Sequence, residues 1–291
     1  MRTIIVLLLA WSSPLWLCAQ DSASRWSLTA GAEINSIAVA NPAVVDSAGS
    51  SLSVNPYLKI AIRSGLALTA KACSSTGSPN PGYYMTALAP SYGIDNKKIA
   101  LDLSYAHFFI KQHSALPYTP ISNEIYASFT YKTKTISPRA GLDYGFGTDT
   151  SNLSNTTVHD VNFFAGLTQS FDWDTAGTIS VNFSPSLTLN MGTNRYFSFL
   201  RSTKFITQNR NFKNLVKGNG NGRGSSGRNG NSGTGASSLP GLELSNLEAN
   251  IDFTFSIGNF SVEPEGSLFL PISGTDKNIF GYWQLNISYK F

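Results

Sequence analysis

The chain has 291 residues, of which 13% are charged and 42% hydrophobic, with a formal net charge of +4. An apolar share of this size, spread along the whole chain, excludes a disordered polyelectrolyte. The charged share is about half that of an ordinary soluble domain, and the length fits one barrel or at most two globular domains.

The chain opens with Arg2, an apolar run from Ile4 to Trp11 extended by Leu15 to Leu17, and then Cys18-Ala19-Gln20. This pattern reads as a secretory signal peptide over residues 1–19, cleaved after Ala19 and removed on Sec-type export. Ser12, Ser13 and Pro14 interrupt the run and argue against a membrane anchor. Leu17 stands where a lipoprotein signal wants a small residue before Cys18. Cys73 is then the one cysteine left, so no internal disulfide forms.

From residue 20 onward no stretch is long and apolar enough for a transmembrane helix. What recurs is alternation with period two. Twelve segments show it, at about 25–39, 51–63, 66–75, 83–93, 98–110, 122–132, 135–147, 159–173, 177–193, 243–257, 260–272 and 280–291. In the last one Trp283, Leu285, Ile287, Tyr289 and Phe291 alternate with Gln284, Asn286, Ser288 and Lys290. Side chains alternate faces along a strand, so this segment has one greasy face and one polar face. Many of these runs exceed the usual soluble strand and match the roughly 9–11 residues that a tilted strand needs to cross a bilayer.

The expected fold is all-β: a closed antiparallel transmembrane barrel over residues 20–291, with about twelve strands, ten or fourteen being alternatives. The connections alternate short and long, as they do in outer-membrane barrels, whose short turns face the periplasm. The aromatic share of 12% suits girdles at two membrane interfaces. A soluble sandwich or lipocalin-like barrel also alternates, but its exposed face usually carries more Lys and Glu than the Ser, Thr, Asn and Gly found here. Five segments carry a proline on the greasy face, at Pro56, Pro90, Pro138, Pro185 and Pro264. These are expected to be bends or bulges in the wall, with strand termini as the alternative.

The ending Trp283-Gln-Leu-Asn-Ile-Ser-Tyr-Lys-Phe291 resembles the C-terminal signal of bacterial outer-membrane β-barrels. The Ala19-Gln20 junction resembles signal-peptide ends of Bacteroidota, and the mature chain is similar in style to small barrels of that group. The resemblance implies residence in the cell outer membrane, contact with its lipid and lipopolysaccharide, and recognition of the last strand by the barrel-assembly machinery. It implies no substrate.

On the polar faces, Lys59, Arg63, Lys71 and Arg139 are basic candidates and Glu248, Asp252, Glu263 and Glu265 acidic ones. Walls of opposite charge bias ion passage through a pore. Twelve strands enclose a modest lumen, however, and the same side chains can pair across it and fill it.

The segment 194–241 is expected to be a flexible outer loop, rich in Gly, Asn and Ser in its second half. It carries Arg195, Arg201, Lys204, Arg210, Lys213, Lys217, Arg223 and Arg228 and no acid, so the rest of the chain is net acidic. Its charge suits an anionic surface polymer or a partner protein. It lacks the phosphate-loop pattern Gly-x-x-x-x-Gly-Lys-Ser/Thr.

His107, His113 and His159 show no metal-ligand spacing. His107 is expected on the lipid face near Phe109, and the other two in or beside outer loops. His113-Ser114 lacks the rest of the Ser, His and Asn set of the twelve-stranded outer-membrane phospholipases. The chain is too short for a TonB-dependent transporter. No enzyme activity, cofactor, metal or nucleic acid is expected. The first functional expectation is a passive channel or transport component for small polar solutes. The alternatives are a structural or surface-interaction barrel with a closed lumen and, behind it, an outer-membrane hydrolase.

Overall fold

The structure is a computed structural model, and it describes residues 26–40, 48–76, 81–111, 121–149, 156–175, 179–193, 243–272 and 279–291. The expected signal segment 1–19 and the basic segment 194–241 lie outside the described residues.

Thirteen extended segments follow one another: β1 (Trp26–Ala40), β2 (Ala48–Ile62), β3 (Leu66–Ser75), β4 (Gly82–Asp95), β5 (Ile99–Ile110), β6 (Ile121–Tyr131), β7 (Ser137–Asp149), β8 (Thr156–Thr168), β9 (Phe171–Thr175), β10 (Ile179–Gly192), β11 (Glu243–Ile257), β12 (Phe260–Pro271) and β13 (Phe280–Lys290). Consecutive segments pair antiparallel except β8 with β9, and β13 returns to β1 in a register running from Thr29↔Lys290 to Asn35↔Gln284. The β10–β11 pairing completes the ring.

β8 and β9 both pair with β10, through Ser186↔Thr168 and Phe183↔Phe171, so they are two parts of one wall strand interrupted at Gln169-Ser170. The wall is therefore a closed barrel of twelve antiparallel strands. This interruption is the main departure from the sequence-based strand map.

The short connections 63–65, 96–98, 132–136 and 258–259 share one end of the barrel with Trp26, Thr175, Ile179 and Lys290; this is the turn end. The opposite strand ends, among them Ala40, Ala48, Gly192 and Glu243, share the other, the loop end. Positive φ angles at Gly65 (95°) and Gly258 (57°) make two of the tight turns.

Four of the five prolines lie inside strands and Pro138 is the second residue of β7, and all follow one rule. Pro56 pairs with Ala32 of β1, while the β2–β3 ladder skips from Val54↔Ser74 to Tyr57↔Lys71. Pro90 pairs with Leu68 of β3, while β4–β5 skips from Leu88↔His107 to Ser91↔Ser104. Pro138 pairs with Leu167 of β8, while β6–β7 stops at Thr130↔Arg139. Pro185 pairs with Ile251 of β11 and stands opposite the β8–β9 break, where its carbonyl accepts from Gln169 N at 3.1 Å. Pro264 pairs with Leu285 of β13, while β11–β12 skips from Asp252↔Glu265 to Phe255↔Val262. A proline has no N–H to give to the strand on one side, and in every case that side is the partner across a short turn.

The alternation has the sense expected of a membrane barrel. Large apolar side chains such as Leu58, Ile60, Leu68, Phe129, Leu187, Ile251, Leu268 and Trp283 are exposed on the outside. Buried polar residues, among them Asn35, Asn55, Thr69, Asn162, Thr188, Asn190, Asn246 and Gln284, point inward. A soluble barrel would turn the greasy face in. A row of stacked rings, Trp173–Phe171–Phe183–Phe253–Phe255, crosses β9, β10 and β11 toward the turn end. Such a girdle is where aromatic rings meet a membrane interface.

Two inward rings lie over glycines. A Cβ on Gly31 would come within 2.5 Å of the Tyr57 ring, and one on Gly141 within 2.1 Å of the Phe164 ring. Only glycine leaves room for the rings at these two positions.

Candidate functional site

The chemistry of this barrel is in its interior. Period-two alternation puts every second residue of each strand inside, so the inner surface can be read strand by strand.

On β1 to β4 the centre is an ion pair. Lys71 Nζ lies 2.6 Å from Glu33 Oε2, and both side chains are 2% exposed. Glu33 Oε1 accepts from Asn35 Nδ2 at 2.8 Å and from Asn55 Nδ2 at 3.3 Å. Ser53 Oγ bonds Asn55 Oδ1 at 2.6 Å and the Tyr84 hydroxyl at 2.9 Å. Buried Cys73 belongs to the same inward row of β3 as Lys71.

On β10 to β13 carboxylates meet amides. Asn190 Nδ2 donates to Glu248 Oε2 at 3.3 Å and to Asn246 Oδ1 at 3.2 Å. Asn250 Nδ2 donates to Glu265 Oε1, and to Ser267 Oγ at 3.0 Å. Asn286 Nδ2 and Ser261 Oγ donate to the two oxygens of Glu263 at 2.9 and 3.1 Å. Asp252 stands directly opposite Glu265 in the ladder.

On β6 to β8, buried Arg139 places its guanidinium 5.2 Å above the Phe164 ring, which stacks on Tyr126 at 5.8 Å. Arg139 Nε has no hydrogen-bond partner among the described residues. The inward carboxylates Glu124, Asp143 and Asp160 are buried on the same strands.

Burial of the inward side chains is more complete toward the loop end, although Thr69, Ser128 and Arg139 are also buried toward the turn end. Toward the loop end the inward side chains Glu33, Asn35, Ser53, Lys71, Glu124, Asp160, Asn190 and Glu248 are all buried. Toward the turn end Lys59, Asp102, Ser104, Thr130, Asn182, Ser184, Asp252, Glu263 and Ser288 keep partial exposure. Here Lys59, Ala67, Ser91, Gly93 and Asp102 line a pocket of about 120 Å³.

Of the sequence-derived charge candidates, Lys71, Arg139, Glu248 and Glu265 are buried in the wall, and Lys59, Asp252 and Glu263 are half-buried. Arg63 is exposed in the turn after β2 and not on its inward face. The basic candidates Arg195, Arg201, Lys204, Arg210, Lys213, Lys217, Arg223 and Arg228 lie outside the described residues. The sequence reading passed over Glu33, Asp102, Glu124, Asp143 and Asp160. Strand parity was the signal for them, since each shares the face of its polar neighbours.

His107 lies on the outward face, edge-on to Phe109 at 4.5 Å. His159 is also outward, bonded and stacked to Tyr144. His113 lies outside the described residues. Among the described residues no group of three or more His, Cys, Asp or Glu has the geometry to hold a metal ion, and no helix is long and apolar enough to cross a membrane.

No protein-family model matches the chain, and no curated protein matches it. Among solved structures the chain is similar to the translocator domain of autotransporter NalP from Neisseria meningitidis, at 10% identity and a TM-score of 0.45, covering 100% of this chain and 98% of that one. It is similar to LpxR from Salmonella typhimurium at 8% identity and a TM-score of 0.42, covering 90% and 99%. It is similar to a bacterial polysaccharide outer membrane secretin at 10% identity and a TM-score of 0.37, covering 93% and 100%. The likeness is to bacterial barrels in general form, and at these values it assigns no activity.

Proposed function

We propose that the protein is an outer-membrane barrel with its turn end in the periplasm, and that it serves as a closed scaffold presenting its long loops at the cell surface. The observation that carries this reading is the buried inner surface toward the loop end. A ring of inward polar side chains toward the loop end is buried and tied into hydrogen-bonded clusters. The girdle rings and the exposed aliphatic belt support membrane insertion. The basic segment between β10 and β11 supports a role at an anionic surface. Contact with the barrel-assembly machinery through β13, and a Bacteroidota origin, rest on the terminal residues of the sequence. The reading is non-enzymatic.

A passive channel for small polar solutes is the second reading, favoured by the part-exposed charges Lys59, Asp252 and Glu263 at the turn end. Conductance of the full chain in planar bilayers separates the two. The closed scaffold predicts a quiet membrane with at most rare, brief openings. Long-lived ohmic steps whose ion selectivity changes in Glu263→Gln would replace it with the channel.

A further inference from the structure

The rim at the turn end carries an open step. β7 begins at Ser137, opposite Thr168 of β8, and the β7–β8 ladder has no rung beyond that pair. The wall strand on the other side runs on through β9 to Thr175, paired with β10 alone. Smaller steps on the same rim are closed by backbone bonds: Gly93 N donates to Gly65 O at 2.9 Å, and Phe291 N to Leu28 O at 2.8 Å. Among the described residues, no such bond reaches β9 from β6, β7 or the turn 132–136.

The registers Ser186↔Thr168 and Phe183↔Phe171 are continuous along β10, and between them Gln169 N donates to Pro185 O at 3.1 Å. Residues of an antiparallel pair alternate between bonded and unbonded rungs. Phe171, Trp173 and Thr175 therefore turn their backbone groups to β10, and Asp172 and Asp174 turn theirs to the open side. The side chains of Asp172 and Asp174 are on the inward face, where Asn182 Nδ2 donates to Asp172 Oδ1 at 2.6 Å. Phe171 and Trp173 face outward and end the row of stacked rings, with Trp173 52% exposed. The open edge thus offers main-chain donors and acceptors, two carboxylates on one face and two rings on the other.

An exposed edge of this kind takes an extended peptide as a further strand, with main-chain bonds for affinity and alternate side chains for selection. We propose that β9 docks, antiparallel, an extended segment of a periplasmic protein with Lys or Arg at alternate positions and apolar residues between them. Charge selects this occupant. Its basic side chains lie beside Asp172 and Asp174, and its apolar ones continue the ring row outside. A second copy of β9 is disfavoured, because its own aspartates would fall on the same face as Asp172 and Asp174. The partner's compartment rests on the membrane reading above, and the open edge does not.

The test titrates the full chain, refolded in detergent, with two end-blocked heptapeptides, one alternating Lys and Val and one alternating Glu and Val. The basic peptide is expected to bind about tenfold more tightly, the size of two opposite-charge cross-strand pairs. Asp172→Asn with Asp174→Asn, both on exposed positions, should bring the two peptides level. In amide hydrogen exchange the basic peptide should protect Asp172 and Asp174 and leave Trp173, already bonded to β10, unchanged. N-methylation of the peptide's Lys amides, which face β9 in this arrangement, should abolish binding. Equal affinity for both peptides, binding that survives the N-methylation, or protection confined to other strands would each overturn the site. Insertion into zwitterionic phospholipid vesicles is scored separately. A chain that inserts but shows no preference between the peptides removes this site and leaves the membrane reading standing, whereas failure to insert removes the membrane reading alone.

Discussion

Two sectors of the inner wall bury carboxylates in different ways. On β1 to β3 Glu33 is met by a lysine, and on β10 to β13 Glu248 and Glu265 are met by asparagine amides. An ammonium supplies full opposite charge but must itself be desolvated. An amide supplies a dipole and costs less to bury. The first sector is therefore strong when whole and fragile when cut. The second spreads its cost over several weaker bonds.

Lys71→Met should break the comparison most sharply. It strands Glu33 in a buried site and is expected to cost about 3–5 kcal/mol, read from denaturant unfolding of the reconstituted barrel. Adding Glu33→Gln should recover most of that loss, and a double variant as unstable as the single would show that the pair is not what matters. Asn250→Ala removes one amide from Glu265, with an expected cost of about 1–3 kcal/mol in the same measurement. A loss equal to that of Lys71→Met would erase the distinction between the sectors. The smallest effect, of opposite sign, is expected for Asp252→Asn. Asp252 faces Glu265 directly, and relieving like charges across a ladder should stabilise by about 0.2–1 kcal/mol, visible as a small rise in the unfolding midpoint.

How much of this the sequence carried depends on the kind of contact. The wall was legible because alternation is local: the stretch from Glu243 to Ile257 has the same bounds in both readings. The β8–β9 interruption was not legible, because its cause stands on another strand, at Pro185 opposite Gln169 and Ser170. The Glu33–Lys71 pair was half legible. Parity puts both side chains inside. That they meet depends on the joint register of β1, β2 and β3, which holds through the rungs skipped at Pro56, and the alternation pattern does not report register between strands. The outward His107 was placed correctly near Phe109, but its bond to Asn123 needed the β5–β6 register.

The rule obeyed by the prolines bears on how such a cylinder yields. Each gap falls between strands already tied by a short turn, so the covalent link backs up the slack rung. The β13–β1 join has no such link, since it pairs the first and last strands of the barrel, and its rungs run without a skip from Thr29 to Asn35. Under load the wall should give first inside the tethered hairpins, where slack is harmless, while the untethered join stays shut.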